Sequence, residues 1–259
     1  MAVQELRDVL PGDRVITEPS VIEGYRRDEA QWAAAGKPLA VVRPRHTDEV
    51  VSVVRFCLER GIPIVPRGAG SGVSGGANAI DGSILLAMEA MDGIVYIDAA
   101  ESLAVVQPGV VNGDLRRACA AQGLWYPPDP ASASWSTIGG NVATNAGGLC
   151  CLKYGVTRDY VLGLRVVTGV SAAAGGGAVV EGGAVVGDAA GVYGDVVRLG
   201  RRTTKGVAGL DLTALLVGSE GTLGVITEIT LRLRRRWPAR RARSWARSAA
   251  WSPRARRCR

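Results

Sequence analysis

The chain of 259 residues is long enough for one large domain or two small ones, and its 47% hydrophobic content is ordinary for a globular protein. The formal net charge of +7 comes from the C-terminal end: residues 234–259 contain eleven arginines and no acidic residue, so residues 1–233 carry a net charge of −4. No stretch approaches the ~18 consecutive apolar residues of a membrane span, and the charged N-terminus lacks the apolar region of a signal peptide. These features argue against a membrane protein and predict a cytoplasmic location.

The first part of the chain predicts a β-α-β unit with parallel strands. Residues 39–42 form a short apolar strand, and residues 62–65 form the next one. Thr47 is the predicted N-cap of the helix between them, and Gly61 is its end. The helix carries its apolar residues on one face: Val50, Val53, Val54, Cys57 and Leu58.

The rest of the chain predicts mainly antiparallel strands with short helices between them. The predicted strands are residues 83–88, 93–98, 103–106, 160–168 and 224–233. A helix begins at Asn112 or Asp114 and ends at Gly123, and a shorter helix spans residues 211–216 with Asp211 as its N-cap. Residues 126–130 are extended, because each proline fixes its own φ and restricts the residue before it.

Two segments do not follow this pattern. Residues 169–195 are rich in Ala, Gly and Val and predict a long flexible hairpin. Residues 234–259 hold three of the six tryptophans among the arginines and have no apolar periodicity, which predicts a disordered basic tail. The tail has two interpretations: the product of a frameshift or truncation, or a genuine basic segment.

The cysteines predict neither disulfides nor a metal site, because their number is odd and no CxxC spacing occurs. Cys57 and Cys119 lie in helical patterns and are expected to be buried. The adjacent pair Cys150 and Cys151 is either redox-active or inert, and Cys258 lies in the tail.

A glycine-rich loop follows the second predicted strand, where residues 64–77 read IVPRGAGSGVSGGA. Successive backbone N–H groups in such a loop can form a concave anion site; the alternative is a flexible turn. The loop lacks the GK[ST] of a P-loop, and no clear helix follows it as a dinucleotide fingerprint requires.

Two further segments of small residues follow: STIGGNVATNAGG at 136–148 and GSEGTLGVIT at 218–227. Thr137 or Ser136 can cap a helix, and the pair Gly139–Gly140 allows either close approach to a ligand or helix packing. Three such segments spread along the chain indicate one long ligand contacted at several points.

These motifs, together with PPDPAS and KYG, resemble the flavin-binding domain of the vanillyl-alcohol oxidase / p-cresol methylhydroxylase superfamily, in its branch of D-lactate dehydrogenases and glycolate oxidase flavin subunits. The resemblance covers residues 36–233 and implies an α+β, PCMH-type fold of two subdomains that share FAD, with their boundary near residue 90. Residues 1–35 are then an N-terminal extension. We therefore expect a truncated form that binds FAD but lacks the C-terminal cap domain with which this family covers the substrate.

The resemblance also implies which residues contact FAD. Ser71 stands where some relatives carry a flavin-linking histidine, so the FAD is expected to be non-covalent. Glu220 has a second interpretation, as a helix cap or an arginine partner. The implied cofactor-binding residues are Pro66, Arg67, Gly68, Ala69, Gly70, Ser71, Gly72, Ser74, Gly75, Gly76, Pro128, Asp129, Thr137, Gly140, Asn141, Thr144, Asn145, Glu220, Gly221 and Ile226.

The implied reaction is the oxidation of a small 2-hydroxy acid such as D-lactate, glycolate or D-2-hydroxyglutarate. No catalytic base is identified, since the only histidine, His46, precedes a helix. The arginines and Lys205 within residues 198–206 are interpreted as a solvated turn rather than a substrate clamp. The alternatives are binding of nucleic acid or another anionic surface through the tail, and a flavin subunit that needs a partner subunit or electron acceptor.

Overall fold

The computed structural model describes residues 2–169, 180–181, 184–185, 194–203 and 209–236. Its helices are α1 (Ala2–Val9), α2 (Pro19–Tyr25), α3 (Thr47–Glu59), α4 (Asn112–Ala121), α5 (Ile138–Ala143), α6 (Cys151–Tyr154) and α7 (Leu212–Leu216). Its strands are β1 (Val15–Ile16), β2 (Ala40–Val42), β3 (Ile64–Arg67), β4 (Ile84–Ala87), β5 (Ile94–Asp98), β6 (Leu103–Val106), β7 (Leu124–Trp125), β8 (Val161–Val167), β9 (Val180–Glu181), β10 (Ala184–Val185), β11 (Val196–Gly200), β12 (Val225–Arg232) and β13 (Arg234–Arg235).

The first four strands form a mixed sheet in the order β1-β2-β4-β3. β2 and β3 are both parallel to β4, which lies between them, and β1 is antiparallel to β2. Parallel strands need a long crossover connection, and α3 supplies the one from β2 to β3. The apolar face of α3 and the sheet share one hydrophobic core, in which Val53 and Cys57 cluster with Ile84 and Leu86.

Five later strands form an antiparallel sheet in the order β11-β8-β12-β6-β5. β12 is the last of these in the sequence, yet it lies in the middle of the sheet, between β8 and β6. Ile229 and Leu231 of β12 share a core with Leu115 of α4 and Ile138 of α5. The helices therefore cover one face of this sheet.

Most of the sequence predictions for individual elements are confirmed. The predicted strands at residues 103–106, 160–168 and 224–233 are β6, β8 and β12, and the amphipathic helix is α3. The Asp211 side chain accepts a hydrogen bond from Ala214 N at 2.9 Å, as expected of an N-cap.

Two predictions are wrong. The sequence predicts antiparallel pairing for residues 83–88, but β4 is parallel to both of its neighbours. All four of its residues are buried, so its sequence lacks the alternation that marks a half-exposed antiparallel strand. Thr47 is not a cap: it is the first helical residue, and His46 occupies the N-cap position without a side-chain hydrogen bond.

The two segments with unusual composition lie mostly outside the described residues. Within the predicted hairpin, β9 and β10 pair in antiparallel fashion. Arg234 and Arg235 pair with β7, so the first residues of the predicted tail belong to a ladder, and residues 237–259 are outside the description. None of the described helices has the length and hydropathy needed to cross a bilayer.

Candidate functional site

A cavity of about 370 Å³ is lined by the three glycine-rich segments of the sequence. The glycine loop that follows β3 forms one wall, α5 and the residues after it form a second, and the turn before β12 forms a third. All the predicted cofactor-binding residues line this cavity except Gly75, Pro128 and Asp129. Segments far apart in the sequence are thus brought to one place by the two sheets.

The glycine loop offers unused hydrogen-bond donors. Within the described part of the chain, no backbone N–H from residues 69–74 donates a hydrogen bond to a protein acceptor. Gly70 has φ 78° and Gly75 has φ 85°, conformations that favour glycine. Backbone amides of this kind form anion-binding concavities, so the loop is suited to hold a phosphate group.

Close packing constrains two of the loop glycines to different degrees. A Cβ on Gly68 would overlap Thr137 Oγ1, and a Cβ on Gly76 would overlap Glu220 Oε2. The loop therefore needs bare backbone at Gly68 to approach the second wall, whereas at Gly76 the end of the flexible Glu220 side chain could move aside.

Arg67 supports the loop rather than extending a free charge into the cavity. Its side chain is 6% exposed, and its guanidinium donates to Ala77 O at 3.2 Å and to Arg27 O at 2.8 Å. Burial lowers the pKa of Arg67, while the nearby Asp28 carboxylate opposes that shift.

The second wall begins at Thr137, the N-cap of α5, whose Oγ1 accepts a hydrogen bond from Gly140 N. Gly139 serves packing, because a Cβ there would lie 2.6 Å from Pro108 Cβ. Asn141 is 3% exposed, and its Nδ2 has no hydrogen-bond partner among the described residues. A buried amide without a partner is costly, and because Asn141 also lines the cavity, its Nδ2 is a donor that a ligand in the cavity could use.

Other predicted residues of the second wall are already used by the protein. Thr144 Oγ1 donates to Gly140 O at 3.0 Å, and Asn145 Oδ1 accepts from Arg158 N at 2.9 Å. These side chains fix the wall's shape while their surfaces line the cavity.

The third wall is attached to the second by backbone hydrogen bonds. Gly218 N donates to Val142 O at 3.0 Å and Glu220 N donates to Ala143 O at 2.9 Å. Glu220 has φ 54°, and its carboxylate makes no hydrogen bond or ion pair with another described residue. Among the described residues, Glu220 is therefore neither a helix cap nor the partner of an arginine.

The three predicted residues outside the lining have other contacts. Gly75 N donates to Asp28 Oδ2, Pro128 O accepts from Asn112 Nδ2 at 3.3 Å, and Asp129 Oδ1 accepts from Cys150 N at 3.0 Å. Pro130 and Ser132, slightly further along the same PPDPAS motif, line the cavity instead.

Sequence reasoning also missed Asp28, which lines the cavity from a segment assigned to an N-terminal extension. No local pattern marks it, because only the fold brings it to the loop. Asp28, Arg67 and Glu220 are the ionisable side chains among the described lining residues, and His46 is not one of them. Across the described chain, no cluster of three or more His, Cys, Asp or Glu side chains could hold a metal ion.

The described arginines of residues 198–206 lie away from the cavity, and Arg198 is in β11 rather than in the predicted turn. Arg198, Arg201 and Arg202 line a separate groove on the antiparallel sheet, and Arg202 approaches Glu228 at 3.6 Å. Lys205 lies outside the described residues.

The cysteines provide a test of the packing. Cys57 and Cys119 are fully buried, as predicted, and burial raises the pKa of Cys57 to about 12 and that of Cys119 to about 11. Cys150 and Cys151 are partly exposed. The thiolate is the nucleophile, and a hydrogen bond to Asp129 raises the pKa of Cys150. Iodoacetamide at pH 8 should therefore modify Cys151 fastest and Cys150 more slowly in the native protein and leave Cys57 and Cys119 intact, as measured by peptide mass spectrometry. In urea all four should react; native labelling of Cys57 as fast as Cys151 would contradict this packing.

Comparisons with known proteins agree with this geometry. A family model described as FAD binding domain matches residues 38–173. Glycolate oxidase subunit GlcD of Bacillus subtilis is 45% identical over 76% of this chain and 37% of its own length. D-lactate dehydrogenase of Anaerostipes hadrus is 36% identical over 89% of this chain and 43% of its own. D-2-hydroxyglutarate dehydrogenase of Stutzerimonas stutzeri is 34% identical over 90% and 45%.

Solved structures share the fold. An alkyldihydroxyacetonephosphate synthase has a TM-score of 0.72 and 24% identity, over 90% of this chain and 40% of its own. A p-cresol methylhydroxylase has a TM-score of 0.71 and 23% identity, over 92% and 43%. The chain spans less than half the length of each of these relatives.

Proposed function

The chain belongs to the FAD-binding domain family of the vanillyl-alcohol oxidase / p-cresol methylhydroxylase superfamily, and from this premise we propose that it binds FAD non-covalently in the cavity and serves the oxidation of a small 2-hydroxy acid. Relatives named for glycolate, D-lactate and D-2-hydroxyglutarate support that substrate class, because all three acids carry a hydroxyl next to a carboxylate.

The observation that carries the proposal is the run of backbone amides at residues 69–74 that have no hydrogen-bond partner among the described residues. They line the same cavity as Asn141, whose Nδ2 also has no partner among those residues. A diphosphate offers several charged acceptors, and a hydrogen bond to a charged group contributes about 1.5–3 kcal/mol. The donors present therefore fit the diphosphate of FAD. Ser71 cannot form the covalent link that a histidine forms, which supports non-covalent binding.

FAD, when bound, supplies the acceptor for the hydride that leaves C2 of the substrate. The described residues bind and orient it: the loop amides hold negative charge, and the α5 wall provides the amide of Asn141. We assign no described residue as the base. Arg67 is engaged by backbone carbonyls and Asp28 by backbone amides.

We also propose that the protein acts with an electron acceptor or partner subunit, and that it is located in the cytoplasm. The family resemblance supports the first.

Flavin titration tests the proposal. The purified full chain is expected to quench FAD fluorescence at one equivalent, and acid precipitation should release all the flavin into the supernatant. FMN, which lacks the diphosphate bridge, is expected to bind at least a hundredfold more weakly. A colourless protein that cannot be reconstituted with FAD, or equal affinity for FMN and FAD, would contradict the proposal.

A further inference from the structure

Residues 26–36 run along the outside of the glycine loop, and we call this segment the strap. It precedes residue 38, where the family match begins. Backbone hydrogen bonds join it to the loop: Glu29 N donates to Gly72 O at 2.9 Å, and Ala79 N donates to Arg26 O at 2.9 Å. The strap is thus part of the cavity's framework although it lies outside the matched domain.

Asp28 is the point where the strap enters the cavity. Its side chain is 8% exposed, its Oδ1 accepts from Ala30 N at 2.9 Å, and its Oδ2 accepts from Gly75 N at 3.0 Å. One carboxylate therefore fixes a turn of the strap and a left-handed residue of the loop at once.

The two ends of the loop are also fastened to the strap. Arg67, before the loop, donates to Arg27 O. Asn78, after the loop, accepts from Asp28 N at 2.7 Å through Oδ1 and donates to Ala34 O at 3.1 Å through Nδ2. The backbone amides in the middle of the loop have no hydrogen-bond partner among the described residues, so they remain available to a ligand.

A negative charge in a cavity suited to anions would oppose binding by Coulomb repulsion. Its presence is reasonable only if it contributes something that offsets the repulsion. A loop without the Gly75 contact would sample other conformations. The affinity for a ligand would then fall by the same factor as the fraction of chains in the binding-competent conformation.

We propose that the strap, through the Asp28 carboxylate, is a positioning element that holds the glycine loop in its ligand-binding conformation before the ligand arrives. The consequence for FAD affinity rests on the proposed function, whereas the conformational effect does not. Asp28 acts through Gly75 and is not a catalytic residue.

The test compares Asp28→Asn with Asp81→Asn in the full chain. A side-chain amide has one acceptor oxygen, so the asparagine introduced at position 28 can replace only one of the two hydrogen bonds. Asp81 is the matched control: its Oδ1 accepts from Lys37 N at 2.6 Å, next to the strap, but it is exposed and does not line the cavity. Amide hydrogen exchange is followed by NMR without ligand, and the Kd for FAD is measured by fluorescence.

Asp28→Asn is expected to speed exchange about tenfold or more at Gly75 and also at Glu29, whose N–H bonds to Gly72 O and not to Asp28. The Kd for FAD should rise about ten- to a hundredfold, as expected for losing a hydrogen bond to a charged group. Asp81→Asn should change neither quantity. Asp28→Asn should stay folded, with a melting temperature lowered by a few degrees because a hydrogen bond to a buried charged group is lost.

Faster exchange at Gly75 alone would overturn the proposal, since the carboxylate would then protect only its direct partner. An Asp28→Asn chain that is unfolded by circular dichroism would also overturn it, because the role would then be general stability. If the wild-type chain binds no FAD, the proposed function fails, while the exchange at Glu29 still decides the role of Asp28.

Discussion

Replacing Gly70 by alanine is expected to weaken FAD binding about a hundredfold. Gly70 has φ 78°, and a Cβ there would overlap the Arg67 guanidinium, which two backbone carbonyls hold in place. An L-residue in this conformation costs about 1–2 kcal/mol, and displacing Arg67 would add to that cost; about 2.7 kcal/mol corresponds to a hundredfold in Kd. Fluorescence titration with FAD measures the change.

Gly82→Ala is the matched control for backbone strain. Gly82 has φ 72°, but a Cβ there would meet no atom within 4 Å, and the residue does not line the cavity. This variant should lose about 1–2 kcal/mol of stability from the left-handed conformation with an unchanged Kd. Equal Kd values for Gly70→Ala and wild type would mean that the glycine loop does not contact the cofactor.

Leu231→Ala is expected to lower the free energy of unfolding by about 2–5 kcal/mol, the usual range for a fully buried leucine. Leu231 is 0% exposed and lies in β12 opposite Ala104 and Val161. Because whole domains are stable by only about 5–15 kcal/mol, this loss is a large share of the total. Urea denaturation followed by circular dichroism measures it.

Leu215→Ala makes the same chemical change on the surface. Leu215 lies in α7 and is 62% exposed, so its truncation should alter the free energy of unfolding by less than about 0.5 kcal/mol. Similar losses in the two variants would place the hydrophobic core elsewhere.

The sequence was sufficient for elements whose pattern is local. The apolar face of α3 and the alternation of β12 follow from periodicity, and the three small-residue segments identified the cavity because close backbone approach needs glycine there. The pairing of β4 was missed for a different reason: its continuous apolar run is typical of a strand buried on both faces in parallel pairing, but it was interpreted as one of a series of antiparallel strands.

Asp28 shows a second limit. Its carboxylate accepts one N–H group from Ala30 and another from Gly75, which lies 47 positions after Asp28 in the chain. Neither spacing nor composition around Asp28 distinguishes it from Asp13 or Asp81, and a role set by distant contacts emerges only in three dimensions. The side-chain amide of Asn141 is a second example. It has no hydrogen-bond partner among the described residues, and this depends on its neighbours in the fold rather than on its neighbours in the sequence.

The central place of β12 bears on how the chain is made. Until the ribosome has released residues 225–232, β8 and β6 have no strand between them, and both present open edges. Open edges are templates for pairing with other chains, and contacts of such long sequence separation form slowly. From the synthesis of β6 until that of β12, the nascent chain therefore presents an unpaired strand edge, which β12 then covers.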